Sequence, residues 1–81
     1  MKYYRVTEES RNEIPYSKAL DIMLGSWKDN DMTRDMLSIP NKIRCQFSVI
    51  EVEDDNGRIG DDWNNIPNDV AYNIDGNRME G

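Results

Sequence analysis

The sequence predicts an α+β domain: a small antiparallel sheet of three or four strands with one main and one short helix packed on one face. Three observations predict it. Leu20, Met23, Leu24 and Trp27 recur at the i, i+3, i+4, i+7 spacing of an amphipathic helix. Ile43, Cys45, Phe47 and Val49 alternate with Arg44, Gln46 and Ser48, the period of a strand with one buried face. Residues 2–8 are rich in aromatic and β-branched side chains and alternate in the same way. The chain has 81 residues and forms a single domain, 1–81. A chain of this length buries only about 60–65% of its unfolded surface, so the core is small. There is no internal repeat and no low-complexity tract.

In the first strand Tyr4 and Val6 share the core face, with Tyr3, Arg5 and Thr7 on the other. Residues 9–13 are polar and form a connection. The main helix spans 16–28, and Tyr16 extends its apolar stripe by a turn. Pro15 suits a helix start, Ser17 is placed to cap the first turn, and Asp21 lies early, where the dipole favours negative charge. Gly25 costs about 1 kcal/mol relative to alanine, so the helix weakens from there. Residues 28–31 are a turn by composition. A short helix follows at 33–37, capped by Asp31, with Met32, Met36 and Leu37 inward. Pro40 stops it by disfavouring helical geometry at Ile39.

The strand from Ile43 changes phase after Val49, because Ile50 and Val52 are the next apolar residues. Either a β-bulge near Val49 and Ile50 or a strand end buried on both faces accounts for the slip. Asp55, Asn56 and Gly57 signal a tight turn, after which Arg58 and Ile59 start a short return strand. Residues 60–69 form an irregular loop and 70–74 a last strand. Asp75 and Gly76 turn the chain into a short return or loose tail at 77–81. The order is β-α-α-β-β-β, with a core of Tyr4, Val6, Leu20, Met23, Leu24, Trp27, Phe47 and Val49.

No catalytic motif stands out: sixteen carboxylates could supply an acid–base pair in principle, but no feature proposes a reaction. There is no histidine, so a histidine base and zinc sites built from cysteine and histidine are ruled out. Neither glycine-rich phosphate cradle occurs. Cys45 is the only cysteine, so an internal disulfide is impossible, and its place in a strand pattern marks it as a small buried hydrophobe. The segment from Asp54 to Ile59 matches part of a calcium-binding loop. Val52 and Trp63 stand where its first and last ligands belong, so the motif is hairpin chemistry and no metal site. The chain is expected to be no enzyme and to carry no cofactor. It lacks both an apolar span of about 18 residues and a signal-like leader, which predicts a cytoplasmic protein.

Charge is the one strong asymmetry. The formal net charge is −6. Residues 1–50 hold eight Lys/Arg against seven Asp/Glu, whereas residues 51–81 hold two against nine. Such a field repels nucleic acid and anionic membranes and attracts basic surfaces. Its centre is Glu51, Glu53, Asp54, Asp55, Asp61 and Asp62, offset only by Arg58. Glu51 and Glu53 share a strand face about 7 Å apart, a spacing comparable to that between DNA phosphates. Trp63 adjoins them as a candidate interface anchor. These seven residues are the candidate partner-binding site. A solvated hairpin tip beside a core tryptophan is the plainer alternative.

In size, acidity and this acidic lobe, though in no motif, the chain resembles the small proteins encoded by phages and mobile elements, of which anti-CRISPR proteins and other DNA mimics are examples. The resemblance implies a stoichiometric inhibitor, acting in the cytoplasm of a bacterial host, that blocks the nucleic-acid groove of a basic protein partner such as a nuclease complex. The alternatives are an immunity protein or antitoxin that neutralises a toxin enzyme, and a structural or adaptor module that dimerises through a free strand edge. Composition leaves the oligomeric state open.

Overall fold

The computed structural model describes residues 1–79. Its elements are β1 (Lys2–Val6), β2 (Arg11–Ile14), α1 (Tyr16–Leu24), α2 (Asp31–Asp35), a 3-10 turn (Met36–Ser38), β3 (Asn41–Arg44) and β4 (Val49–Glu53). The four strands form one antiparallel sheet in the order β2-β1-β4-β3. The fold is α+β as expected, but the order of elements is β-β-α-α-β-β.

The additional strand is β2, in the second half of the stretch expected to be a connection. Its polar composition hid it. β2 is an edge strand, so Arg11, Asn12 and Glu13 stay exposed and need no apolar side chains. Pairing with β1 holds it, and Thr7 N–H closes the hairpin by donating to the Ser10 carbonyl at 2.9 Å.

The alternation at 43–49 belongs to a hairpin and not to one strand. The chain reverses over residues 45–48, where Cys45 N–H donates to the Ser48 carbonyl at 2.9 Å. Across the turn Ile43 pairs with Ile50 and Asn41 with Val52. The core face is therefore odd-numbered in β3 and even-numbered in β4. The phase slip at Val49 and Ile50 records this reversal, so neither a bulge nor double burial is needed. Phe47, expected in the core, sits at the hairpin tip and is 81% exposed.

The same register inverts the expected faces of β1. Tyr3 lies opposite Val52 and Ile14, and Arg5 opposite Ile50, on the helix side. Tyr3 packs on the core, while Tyr4 and Val6 lie half-buried on the outer face. The two tyrosines satisfy either phase, and apolar Val6 beside charged Arg5 favoured the wrong one, which only the pairing with β4 reverses.

α1 ends at Leu24, and Gly25 N–H donates to the Ile22 carbonyl. The helix thus stops where glycine weakens it. Pro15 occupies the N-cap position, and no side chain caps the helix. Its buried residues are Ala19 and Met23, with Leu20, Ile22 and Trp27 packed beside them. The stripe is rotated from the expected one, leaving Tyr16 and Leu24 exposed. α2 is capped by Asn30, one residue before the expected Asp31, through a 2.9 Å bond from Thr33 N–H to Asn30 Oδ1. Met36 and Leu37 are buried as expected.

The core is Ala19, Met23, Met36, Leu37, Ile43, Ile50 and Val52, all fully buried. Of the residues expected there only Met23 is fully buried. Leu20 and Trp27 flank the cluster, Tyr4, Val6 and Val49 are half-buried on the outer face, and Leu24 and Phe47 are exposed.

Beyond β4 the chain is irregular, and the strand expected at 70–74 is replaced by one bridge between Tyr72 and Arg78. Asn73 Oδ1 accepts from Asp75 and Asn77 N–H at 2.9 and 3.0 Å, so a side chain bends the backbone into a turn instead. The expected return after Asn56 and Gly57 is likewise one bridge, Glu53 to Ile59. The end of the segment 77–81 lies outside the described residues. Among the described residues no helix is long and apolar enough to cross a membrane.

Candidate functional site

The acidic segment begins on β4. Ile50 and Val52 point into the core, so alternation places Glu51 and Glu53 on the outer sheet face. There they meet Arg11. Its guanidinium lies 3.8 Å from the Tyr4 ring centroid, donates from Nε to Glu51 Oε1 at 2.9 Å and approaches Glu53 Oε2 at 3.8 Å. The hydrogen bond to Glu51 raises the Arg11 pKa, with smaller contributions from the charges of Glu51 and Glu53. These two carboxylates are thus partly neutralised within the sheet.

Asp54 is consumed by the turn that follows. Its Oδ1 accepts from Asn56 and Arg58 N–H, both at 2.9 Å, and Gly57 closes the turn with φ of 78°. Asp55 stands clear, with its side chain 96% exposed. An ion pair at 3.6 Å to the Met1 amino group is too exposed to hold it.

Residues 60–65 are pinned to the sheet. Gly60 packs on Pro40 so closely that a Cβ would meet the Pro40 carbonyl oxygen at 2.6 Å. Asn41 is fully buried and satisfies the loop on both sides. Its Nδ2 donates to the Met36 and Asn65 carbonyls at 2.9 and 2.8 Å, and its Oδ1 accepts from Asn65 N–H at 2.9 Å. Asn64, in the left-handed region at φ 56°, accepts from Arg44 N–H through Oδ1 and donates its own N–H to the Lys42 carbonyl. Asp61 and Asp62 are exposed at the edge of this loop, and no Lys or Arg among the described residues is ion-paired with them.

Trp63 packs beside basic side chains. It bridges to Lys42 on β3, and its ring lies 4.3 Å from the Arg44 guanidinium and 5.8 Å from the Lys42 ammonium. It remains 45% exposed. At the end of the sheet where β4 finishes and β3 starts, Asp61 and Asp62 carry no ion pair among the described residues, and Asp55 carries only the exposed one to Met1. The other three carboxylates and Trp63 are tied to local partners.

Periodicity and charge missed a second polar cluster. Asp35 is 5% exposed, yet it accepts from Tyr72 Oη at 2.6 Å and Arg78 Nε at 2.9 Å, with Arg78 Nη2 on its other oxygen. The bond from Arg78 holds the Asp35 carboxyl below its usual range, and burial together with Asp35 pushes Tyr72 up to about 12. The partners are 37 and 43 residues away in sequence, so no local signal links them. Both carboxylate oxygens are occupied, and the cluster serves to latch residues 72–78 onto α2. Burial raises the Cys45 thiol pKa, which fits an unreactive side chain. Among the described residues no group of three or more His, Cys, Asp or Glu is arranged to hold a metal ion.

Comparison with protein-family models, curated proteins and solved structures finds no match.

Proposed function

We propose that this chain is a small non-enzymatic binding protein that engages a basic, nucleic-acid-handling partner through the acidic end of its sheet. Such a protein would act as an inhibitor of the anti-CRISPR or DNA-mimic kind in the cytoplasm of a bacterial host. The observation that carries the reading is the set Asp55, Asp61 and Asp62. Their side chains are exposed, while the backbone that bears them is pinned by the Asp54 turn, by Gly60 against Pro40 and by the Asn41 bonds. Charges on a preorganised backbone lose little entropy on binding and attract a basic groove at long range. The role is occupancy, stoichiometric and without turnover.

The test is capture from host lysate at low and high salt with the triple variant Asp55→Lys, Asp61→Lys, Asp62→Lys. Asp54 is left intact because it caps its own turn. The natural sequence is expected to retain a nucleic-acid-binding protein that is released as salt rises, and the folded triple variant to lose it. Equal retention by the folded variant would show that these carboxylates are not the contact.

A further inference from the structure

The turn at the acidic end carries an asparagine, Asn56, whose side chain holds nothing in place. The chain has nine asparagines, and Asn56 is the one followed by glycine. Six others, Asn30, Asn41, Asn64, Asn65, Asn73 and Asn77, have side chains held in hydrogen bonds. Asn56 is exposed, and among the described residues its carboxamide makes no hydrogen bond. Asn12 and Asn68 make none either, but Glu13 and Asp69 follow them, and a side chain there crowds the next peptide nitrogen. At Gly57 a Cβ would meet nothing within 4 Å, so the nitrogen that follows Asn56 lies open to approach. Asp75 and Gly76 form the contrasting pair. Asn30 Nδ2 donates to the Asp75 carbonyl at 3.0 Å and Met32 N–H to the Gly76 carbonyl at 2.9 Å, and Gly76 packs against Asn30. What restrains residue 57 is a bond from its N–H to the Asp54 carbonyl at 3.1 Å, inside the exposed turn that Asp54 Oδ1 caps.

We propose that Asn56 is a site of spontaneous modification, its carboxamide converting to a carboxylate when the Asp54 turn opens. The Gly57 peptide nitrogen loses its proton and attacks Asn56 Cγ. The Cγ–Nδ2 bond breaks, ammonia leaves, and a cyclic imide joins the two residues. Water then reopens the ring at either carbonyl. Breaking the bond from Cγ to nitrogen gives aspartate. Breaking the bond from the main-chain carbonyl carbon to nitrogen gives isoaspartate, in which the backbone runs through Cβ and Cγ and the former main-chain carboxyl hangs free. Overall a water is consumed and an ammonia released, with no oxidant, reductant or enzyme. The closed turn holds the reaction back, because Gly57 N–H is engaged by Asp54. A short exposed turn opens locally without unfolding the domain, and glycine supplies the backbone freedom that ring closure needs. Either product adds a negative charge between Asp55 and Arg58, taking the formal net charge one unit below −6. Isoaspartate also lengthens the backbone within the turn, which detaches Asp54 Oδ1 from the N–H groups of residues 56 and 58 and adds its carboxylate to the exposed set. The acidic end thus changes as the chain ages, whether or not it meets a partner.

The test is incubation of the whole folded chain in mildly alkaline buffer, followed over weeks by ion-exchange chromatography and peptide mass mapping. A species with one added negative charge should accumulate, map to residue 56 and contain isoaspartate that a protein isoaspartyl methyltransferase labels. Asn56→Gln replaces an exposed side chain, so it should leave the circular dichroism spectrum unchanged and abolish that species. Asp54→Ala removes the caps of the turn and should speed the conversion by about fivefold or more, the population factor for losing a typical hydrogen bond. No such species, a species that maps first to another asparagine, its persistence in Asn56→Gln, or conversion no faster in Asp54→Ala would overturn the proposal.

Discussion

Replacing Tyr72 with phenylalanine tests the latch that holds the C-terminal segment. The change deletes one hydroxyl and no volume, so it leaves no cavity. The lost interaction is the 2.6 Å bond from Tyr72 Oη to Asp35 Oδ2. A hydrogen bond to a charged group contributes about 1.5–3 kcal/mol. Tyr72 is only partly buried, and Arg78 still satisfies Asp35, so the low end applies, about 1.5 kcal/mol. In a domain of this size that lowers Tm by about 6–12 °C at pH 7. Alkaline pH supplies a second readout. Tyr72 is pushed up from 10.0 to about 12, first by burial and then by Asp35. A pKa raised on folding means stability that is intact below the unfolded value and lost as pH rises through the folded one. The natural sequence should therefore lose stability between these values. Tyr72→Phe should lose less, with Tyr3, also raised by burial, contributing equally to both. Thermal melts followed by circular dichroism measure both effects. A pH 7 midpoint within about 1 °C of the natural sequence, or an unaltered alkaline loss, would refute the latch.

Gly76→Ala should be far more damaging than Gly57→Ala, although both glycines have positive φ, 81° and 78°. Each pays about 1–2 kcal/mol for the left-handed backbone, but a Cβ at 76 would also lie 2.3 Å from Asn30 Nδ2, whereas nothing lies within 4 Å at 57. Urea unfolding of the two variants measures the difference, and equal losses would contradict it. Ile50→Ala should destabilise the domain by about 3 kcal/mol by opening a cavity. Phe47→Ala should change stability by less than about 0.5 kcal/mol. The reverse ranking would restore Phe47 to the core and displace the hairpin.

Much of the fold was legible where the signal is local. The composition of 16–28 specified a helix, and Gly25 specified its end. Met36 and Leu37 were marked as inward by their spacing, and Asn56 and Gly57 were marked as a turn by their composition. The candidate site was legible only as a charge imbalance. That Glu51 and Glu53 are held by Arg11 depends on β2 pairing with β1 and β1 with β4, and the stretch that forms β2 has no apolar pattern to announce it. Asp54 differs from Asp55 only in the bonds its carboxylate makes to the turn, and those exist once the turn is formed.

The sequence by itself determined the α+β class, the helices, the absence of histidine chemistry and the acidic excess of the last third. These depend on residue identity and on spacing within a few positions. Tertiary structure decided which residues face the core, because sheet register couples segments far apart and a four-residue turn changes the parity of the buried face. That coupling moved Tyr4, Val6 and Phe47 out of the core and brought Tyr3, Ile50 and Val52 toward it. It also joined Asp35 to Tyr72 and Arg78, and it set the exposed carboxylates at one end of the sheet and Phe47 at the other.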